Sequence, residues 1–333
     1  MIGEDDLVRR IRAATAADRD GVLVGIGDDC AVLLTTPGAH LIAKTDLLIE
    51  DVHFRRRYAT PADIGWKALA VNVSDIASKG ARARWALVAL ACPVTTTSDD
   101  IDAFYEGMLR LAREHGVAIV GGDTSSSPTG WFVNVSLLGE AKRAILRSTA
   151  QPGDVIAVTG TLGRAAAGLA LLERDQRPVA VDTDTREEMT AAHLRPRPRV
   201  AEGRWLGNAD GVTAMMDLSD GVATDLRRLC AESHVGATVT VDTLPIAEGT
   251  RRVAAAADQD ALAWATGGGE DYELLVVIAA AAFPRVAAGL AQATGTTLTR
   301  IGTIEPGNAV RFVDARGGEV SVTRGFEHFA TGR

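Results

Sequence analysis

Acidic side chains recur in this sequence where apolar runs give way to glycine or polar turns. Asp28 and Asp29 close VLVGIGDD, Asp46 closes LIAKTD and Asp123 closes VAIVGGD, while Asp217 and Asp220 lie in AMMDLSDG, and Glu270 and Asp271 in GGGED. In open α/β sheets, ligands approach the backbone beyond strand ends, where glycine turns leave room. A further position is helical. Asp75 follows Asn72 by three residues, opposite a Trp66/Leu69/Val73/Ile76 stripe, so both polar groups share one face. One Asp beside one Gly is ordinary turn chemistry; the recurrence is what points to a site. Two carboxylates about 4 Å apart repel by roughly 4 kcal/mol at an effective dielectric near 20, so a converging set calls for cations. Oxygen donors without a histidine or cysteine pattern favour Mg2+ over zinc, and Mg2+ is commonly shared between a few carboxylates and substrate phosphates.

The composition narrows the options. The 35 basic residues include only four lysines (Lys44, Lys67, Lys79 and Lys142), and none follows a glycine, which excludes a P-loop ending in Gly-Lys-Ser or Gly-Lys-Thr. Aspartates outnumber glutamates 27 to 16, and the net charge of −8 with no basic block argues against a nucleic-acid partner. Cys30, Cys92 and Cys230 are isolated and lack CxxC spacing, which fits a reducing cytoplasm. MIGEDDLVRR does not read as a signal peptide, and the longest apolar run, Leu274 to Phe283, is ten residues and too short for a bilayer. Other candidates keep two readings. TGTLGRAAAG is a glycine turn opening a helix, either to receive phosphate on its N–H groups or to pack closely. Arg147 could fork phosphate oxygens or sit solvated in a linker. His53 is either structural or one of the polar groups of IEDVHF, and the Arg55–Arg57 run is either solvated or an anionic acceptor site.

Positioning such groups needs an α/β scaffold, and strand-like and helix-like segments do alternate. Strands are expected near 22–24, 31–34, 41–45, 84–91, 117–120 and 131–138. A helix is expected over 61–79, and another from an N-cap at Ser98 to about His115, stopped by Gly116. A polar stretch near 140–154 marks a boundary, giving an N-terminal α/β domain over 1–140 and a C-terminal one over 150–333. In the second, strands are expected near 155–158, 212–216, 237–241, 274–278, 298–304 and 310–314. Helices are expected near 162–173, 185–193, 222–230 and 284–292, and LRPRPR reads as a proline-broken connector.

In order along the chain, GIGDDCAVL, AKTD, DVHF, KALAVNVSDIASKGA, GGDTS, RSTAQPGDVIAVTGTLG, LRPRPR, MDLSDG, GGGEDYELL and RGFEHFA resemble the thiamine-monophosphate kinase family. The resemblance implies a two-domain α/β protein with mixed sheets and flanking helices, of the aminoimidazole-ribotide synthetase-like superfamily. It implies a homodimer paired through N-terminal sheets, with ATP in an interdomain cleft and several Mg2+ ions. By the same resemblance Asp29, Thr45, Asp46, Asp75, Asp123, Asp217 and Asp220 would bind metal. Tyr105, Gly122, Asp123, Arg147 and Ser219 would contact ATP, and His53 and Glu270 would contact thiamine monophosphate. Two departures stand out: Lys44 stands where relatives can carry a metal-binding serine, and Thr323 where some carry a tryptophan against thiamine, leaving Phe326 as the nearest aromatic.

The expected reaction is direct in-line transfer of the ATP γ-phosphoryl group to the substrate's phosphate, which is already an anionic nucleophile. Positioning and charge neutralisation carry such chemistry. Asp46, Asp75 and Asp123 would act through the metals, with no catalytic base. Selenophosphate synthetase-like or hydrogenase-maturation dehydratase-like activity is the nearer alternative. It is disfavoured because Cys30 reads as a strand residue and the sequence ends in Thr-Gly-Arg. A non-catalytic Mg-nucleotide binder is the other.

Overall fold

The computed structural model describes residues 4–15, 20–26, 30–174, 179–323 and 325. The chain divides into two units, Met1–Ala77 with Ala81–Ala144, and Ser78–Gly80 with Ile145–Arg333. In the first, the elements are α1 (Glu4–Ala14), β1 (Val22–Val24), β2 (Val32–Leu33), β3 (His40–Ile49), α2 (Pro61–Ser78), β4 (Arg82–Cys92), α3 (Ser98–His115), β5 (Ala118–Ser126) and β6 (Phe132–Ala141). β1 and β2 form a small ribbon, and the main sheet has the order β3-β6-β4-β5. Only the β4–β5 pair in it is parallel.

Alternation along β3 and β6 sorts the two faces of this sheet. Leu48, Val133, Val135 and Leu137 are buried on the face covered by helix, together with Leu69, Val73 and Ile76 of α2 and Phe104, Met108 and Leu111 of α3. The helices cross with their backbones nearly touching: a Cβ on Gly65 would lie 1.9 Å from the Phe104 carbonyl oxygen, and one on Gly107 would lie 1.9 Å from that of Ala62. α3 opens on a capping box between Thr97 and Asp100, one residue earlier than the Ser98 cap expected, and it stops at Gly116 in the left-handed region. The opposite face of the sheet is open, with Leu41, Leu47 and Leu87 exposed.

The second unit contains β7 (Val155–Thr159), α4 (Arg164–Glu173), α5 (Thr183–Leu194), α6 (Val200–Gly207), β8 (Val212–Asp217), α7 (Val222–Ser233), β9 (Gly236–Thr240), α8 (Glu248–Ala257), α9 (Ala261–Gly267), β10 (Leu274–Ile278), α10 (Phe283–Thr294), β11 (Leu298–Glu305) and β12 (Val310–Val313). Its sheet has the order β12-β9-β11-β7-β10-β8 and is antiparallel except at β12–β9. Alternate residues of β7, β8 and β10 pack into two cores: Ile156, Met216, Leu275 and Val277 meet Leu226 and Leu229 of α7, while Ala157, Met215, Val276 and Ile278 meet Val286 and Leu290 of α10. Burial on both faces accounts for the unbroken apolar LLVVI. Among the described residues no helix is long and apolar enough to cross a membrane.

Two expectations change. β3 runs on to Ile49 and β5 to Ser126, so Asp46 and Asp123 stand inside strands rather than at their ends. The glycines of VAIVGGD do not make a turn. They let strands come close, since a Cβ on Gly122 would lie 1.9 Å from the Val88 carbonyl oxygen. Four helices, α1, α6, α8 and α9, were also not expected from the sequence.

Candidate functional site

In the first unit the site is built by β3 and α2. Lys44 and Asp46 leave β3 on the same face, and Asp75 meets them from α2. The Lys44 ammonium lies 3.1 Å from Asp46 Oδ1 and 2.9 Å from Asp75 Oδ2. Burial alone would lower the lysine pKa, but the two carboxylates outweigh it and hold the ammonium above its ordinary value. Burial pushes Asp46 up to about 6; the Lys44 charge works against this and the Asp75 charge with it. One turn earlier on α2, Asn72 is fully buried, and its Oδ1 has no hydrogen-bond partner among the described residues.

Thr45 points the other way. Its hydroxyl meets Ser136 Oγ at 3.0 Å and Asn134 Oδ1 at 3.2 Å on the open face, so the structure does not bring it to the Asp46–Asp75 pair. Asp123 is also apart. β3 and β5 are opposite edges of the sheet, three strand spacings or roughly 14 Å from each other. Register pairs Asp46 with buried Val135 and Asp123 with exposed Ala89, so the two carboxylates leave opposite faces. The Asp123 carboxylate accepts from the Thr124 N–H at 2.9 Å. Gly122 precedes it in close contact with β4.

His53 sits in the turn after β3, where its Nδ1 accepts from the Ile49 N–H at 3.0 Å; the neutral ring therefore carries its proton on Nε2. The adjacent arginines are engaged by their own chain. Arg56 binds Asp100 at 3.0 Å and lies 4.9 Å over the Trp131 ring, Arg55 faces Asp51 at 3.8 Å, and Arg57 lies 5.5 Å over Tyr58. Tyr105 is buried on α3, edge-on to Phe104, and lines a cleft with Arg10, Ile11 and Arg113; burial raises its phenol pKa.

In the second unit Asp217 ends β8, and the turn after it carries Ser219 and Asp220. Asp225, fully buried in the first turn of α7, reaches back to accept the N–H groups of Ser219 at 3.1 Å and Asp220 at 3.0 Å. Arg228 binds Asp225 at 3.0 Å and also Asp220. Burial pushes Asp225 up to about 7. The 267–273 loop is seated on this turn: the Glu270 N–H donates to Ser219 O at 2.7 Å and the Tyr272 N–H to Leu218 O at 2.9 Å, with both residues in the left-handed region. Glu270 Oε2 meets His193 Nδ1 at 3.0 Å. The structure thus brings Asp217, Ser219, Asp220 and Glu270 together.

Arg147 is not among them. Its carbonyl accepts from Ser233 Oγ at the C-terminal end of α7, whereas Ser219 and Asp220 precede the N-terminal end, about 18 Å away along the 12-residue helix. The TGTLG turn is also spoken for, because Asp271 accepts the Gly163 N–H at 2.7 Å and the Ala165 N–H at 3.4 Å at the start of α4. Asp29 and Phe326 lie outside the described residues.

Sequence reading missed the group beneath the loop. Glu273 is fully buried and forked by Arg199, with Nε and Nη2 each at 2.6 Å, and it accepts from Thr159 Oγ1 at 2.7 Å. The signals were there in retrospect: a glutamate inside an apolar strand entry, and an arginine in a proline-rich connector, each needing a partner when buried. Asp225 and Arg228 were missed because the expected 222–230 helix gave no sign of what these side chains would meet in the preceding turn. Among the described residues no three His, Cys, Asp or Glu side chains form a ready metal cage.

The chain as a whole is similar to known proteins. Residues 27–141 match the AIR synthase related protein, N-terminal domain, and residues 151–315 match the corresponding C-terminal domain. A thiamine-monophosphate kinase of Bacillus subtilis is 40% identical over 81% of this chain and 82% of its own. The crystal structure of a thiamine-monophosphate kinase from Stenotrophomonas maltophilia superposes with a TM-score of 0.83 at 38% identity, covering 96% of this chain and 98% of that one. AaThiL complexed with AMPPCP and TMP superposes with a TM-score of 0.77 at 29% identity, covering 98% and 97%.

Proposed function

The chain belongs to the thiamine-monophosphate kinase family, and from that premise we propose how its residues serve the reaction. The enzyme transfers the γ-phosphoryl group of ATP to the phosphate of thiamine monophosphate, giving thiamine diphosphate and ADP. The relative held with AMPPCP and TMP supports both substrates. The acceptor oxygen is anionic near neutral pH, so no base is assigned; the barrier lies in aligning two polyanions.

Mg2+ is the metal this reading calls for. The observation that carries it is the Asp46–Asp75 pair, two carboxylates brought within reach of one cation by separate elements. The donor chemistry fits a hard ion: Asp46, Asp75, Asp123, Asp217 and Asp220 offer only oxygen, and the orphaned Oδ1 of Asn72 lies one turn from Asp75. Bound Mg2+ would neutralise phosphate charge and orient the phosphates for in-line attack. Within one chain Asp46 and Asp123 lie on opposite edges of the sheet, too far apart to share an ion at magnesium–oxygen distances near 2.1 Å, so this reading gives each chain separate positions for them. In this reading Asp46 and Asp75 would bind metal through oxygens that Lys44 does not use, Asp123 would hold another ion, and the Asp217–Asp220 turn would offer ligands within the second unit. Asp225 and Arg228 keep that turn in shape by accepting and donating at Ser219 and Asp220. His53 would donate its Nε2 proton to the anionic substrate, Ser219 and Tyr105 would meet the nucleotide, and Glu270, steadied by His193, would face thiamine.

The homodimer belongs to the same proposal. The open face of the first sheet exposes Leu41, Leu47 and Leu87 beside Ala43, Thr45 and Ala89, an apolar surface that a second copy would cover. Cytoplasmic residence is part of it too, supported by three free cysteines. The test of function is direct. Purified protein is incubated with ATP and Mg2+ plus either thiamine monophosphate or thiamine. Chromatography should show thiamine diphosphate with the first acceptor and no phosphorylated product with the second. A non-catalytic nucleotide binder would give neither product nor ADP.

A further inference from the structure

The Lys44 ammonium occupies the point between Asp46 and Asp75 where a cation would sit. Its Nζ is 3.1 Å from one carboxylate and 2.9 Å from the other, and the lysine is only one-third exposed. It reaches that point from the same strand as Asp46, two residues earlier and therefore on the same face, so the backbone fixes the approach. Lysine is rare in this chain, four residues in 333, and this one is spent between two acidic side chains.

We propose that Lys44 is a resident cation that takes the place of one divalent ion between Asp46 and Asp75. The ammonium claims one oxygen of each carboxylate, Asp46 Oδ1 and Asp75 Oδ2. An ion at about 2.1 Å from both of those oxygens would be pressed against Nζ, so ammonium and ion exclude each other there. Divalent ions then bind only through the oxygens that Lys44 does not use. Two consequences follow. The protein holds both carboxylates on one cation before any metal arrives, and it needs one ion fewer per chain than the same site without the lysine. Lys44 is a positioning residue, since it acts on the reacting groups through Asp46 and Asp75.

The inference rests on reading Asp46 and Asp75 as metal ligands, and the test separates the two claims. Mn2+ serves as probe, with AMPPCP and thiamine monophosphate bound. The number of ions per chain is read by equilibrium dialysis and by the electron paramagnetic resonance of free Mn2+, and thermal melting is recorded with and without Mg2+. Three full-length variants are compared with wild type: Lys44→Ser, Lys44→Met and Lys44→Arg. The expected result is one additional Mn2+ per chain in Lys44→Ser and Lys44→Met. Both should also melt lower than wild type without metal and recover more on adding Mg2+. Lys44→Arg keeps the charge and should bind the wild-type number, and it still reports if the other two fail to fold, because a gain of an ion there contradicts the proposal. Wild-type stoichiometry in Lys44→Ser and Lys44→Met overturns the role given to Lys44 while leaving the metal reading intact. No Mn2+ bound by wild type overturns the metal reading itself, and with it this inference.

Discussion

Glu273 is the place where a single atom's change should be felt most. Replacing it by glutamine keeps the volume, so no cavity cost enters. It does exchange one accepting oxygen for an NH2 group, and since each oxygen accepts from an Arg199 nitrogen at 2.6 Å, that NH2 faces a guanidinium donor whichever way the amide is turned. One charge-assisted hydrogen bond is lost, worth about 1.5–3 kcal/mol. The Arg199 guanidinium also loses its buried counter-charge, and breaking such a pair costs about 3–5 kcal/mol. Glu202 Oε1, 3.3 Å from Arg199 Nη1, partly replaces it, which places the expected cost at the lower end, about 3 kcal/mol. Urea unfolding followed by tryptophan fluorescence measures this. A cycle with Arg199→Met checks the cause, because removing both partners should cost at least 1 kcal/mol less than the two single changes together. A Glu273→Gln cost below about 1 kcal/mol, or additivity within about 0.5 kcal/mol, would refute the reasoning.

Asp75→Asn should fold and melt near wild type yet lose roughly two to three orders of magnitude in kcat at saturating Mg2+, the scale seen when one preorganised electrostatic group is removed; near-wild-type turnover would remove Asp75 from the machinery. Leu47→Asp, on the open sheet face, should give a monomer by light scattering with its circular dichroism unchanged, and a dimer that persists would place the interface elsewhere. Burial raises Asp271 from 3.8 to about 7 in the folded protein. The folded state therefore holds a proton that the unfolded chain gives up, and stability falls as pH rises from about 4 through about 7. Asp271→Asn should flatten the melting temperature across that window, and an unchanged slope would show that the carboxyl is ionised there.

Much of this could be read in advance, for identifiable reasons. The helix carrying Asp75 was legible because Trp66, Leu69, Val73 and Ile76 repeat at helical spacing, and Gly116 announced the end of α3 by the conformation that only glycine adopts freely. The glycine turns of LSDG and GGGED marked both segments, but the gathering of Ser219 and Glu270 is fixed only by the bond from the Glu270 N–H to Ser219 O. What stayed hidden depends on pairing between distant segments. Nothing in AKTDLLIE says that β3 continues past Asp46; that is set by ten successive partners on β6. Nothing in GGD distinguishes a turn from a close strand contact until β4 lies beside it. The faces that Thr45 and Asp123 occupy are register properties, and one residue of slip would reverse them. Arg147 looked available because its segment is polar; where its backbone lies is set by Ser233, whose hydroxyl donates to the Arg147 carbonyl at the far end of α7. α8 and α9 are short and alanine-rich, and α8 buries only one large apolar side chain, Val253, to mark its inner face.

The central claim is that the phosphoryl group passes directly from ATP to thiamine monophosphate. Supplying ATP labelled at the γ-phosphate and isolating the products within one turnover tests it most directly. The label should appear in the terminal phosphate of thiamine diphosphate, matched one for one by ADP. Label recovered as inorganic phosphate, or on the protein itself ahead of the product, would contradict it.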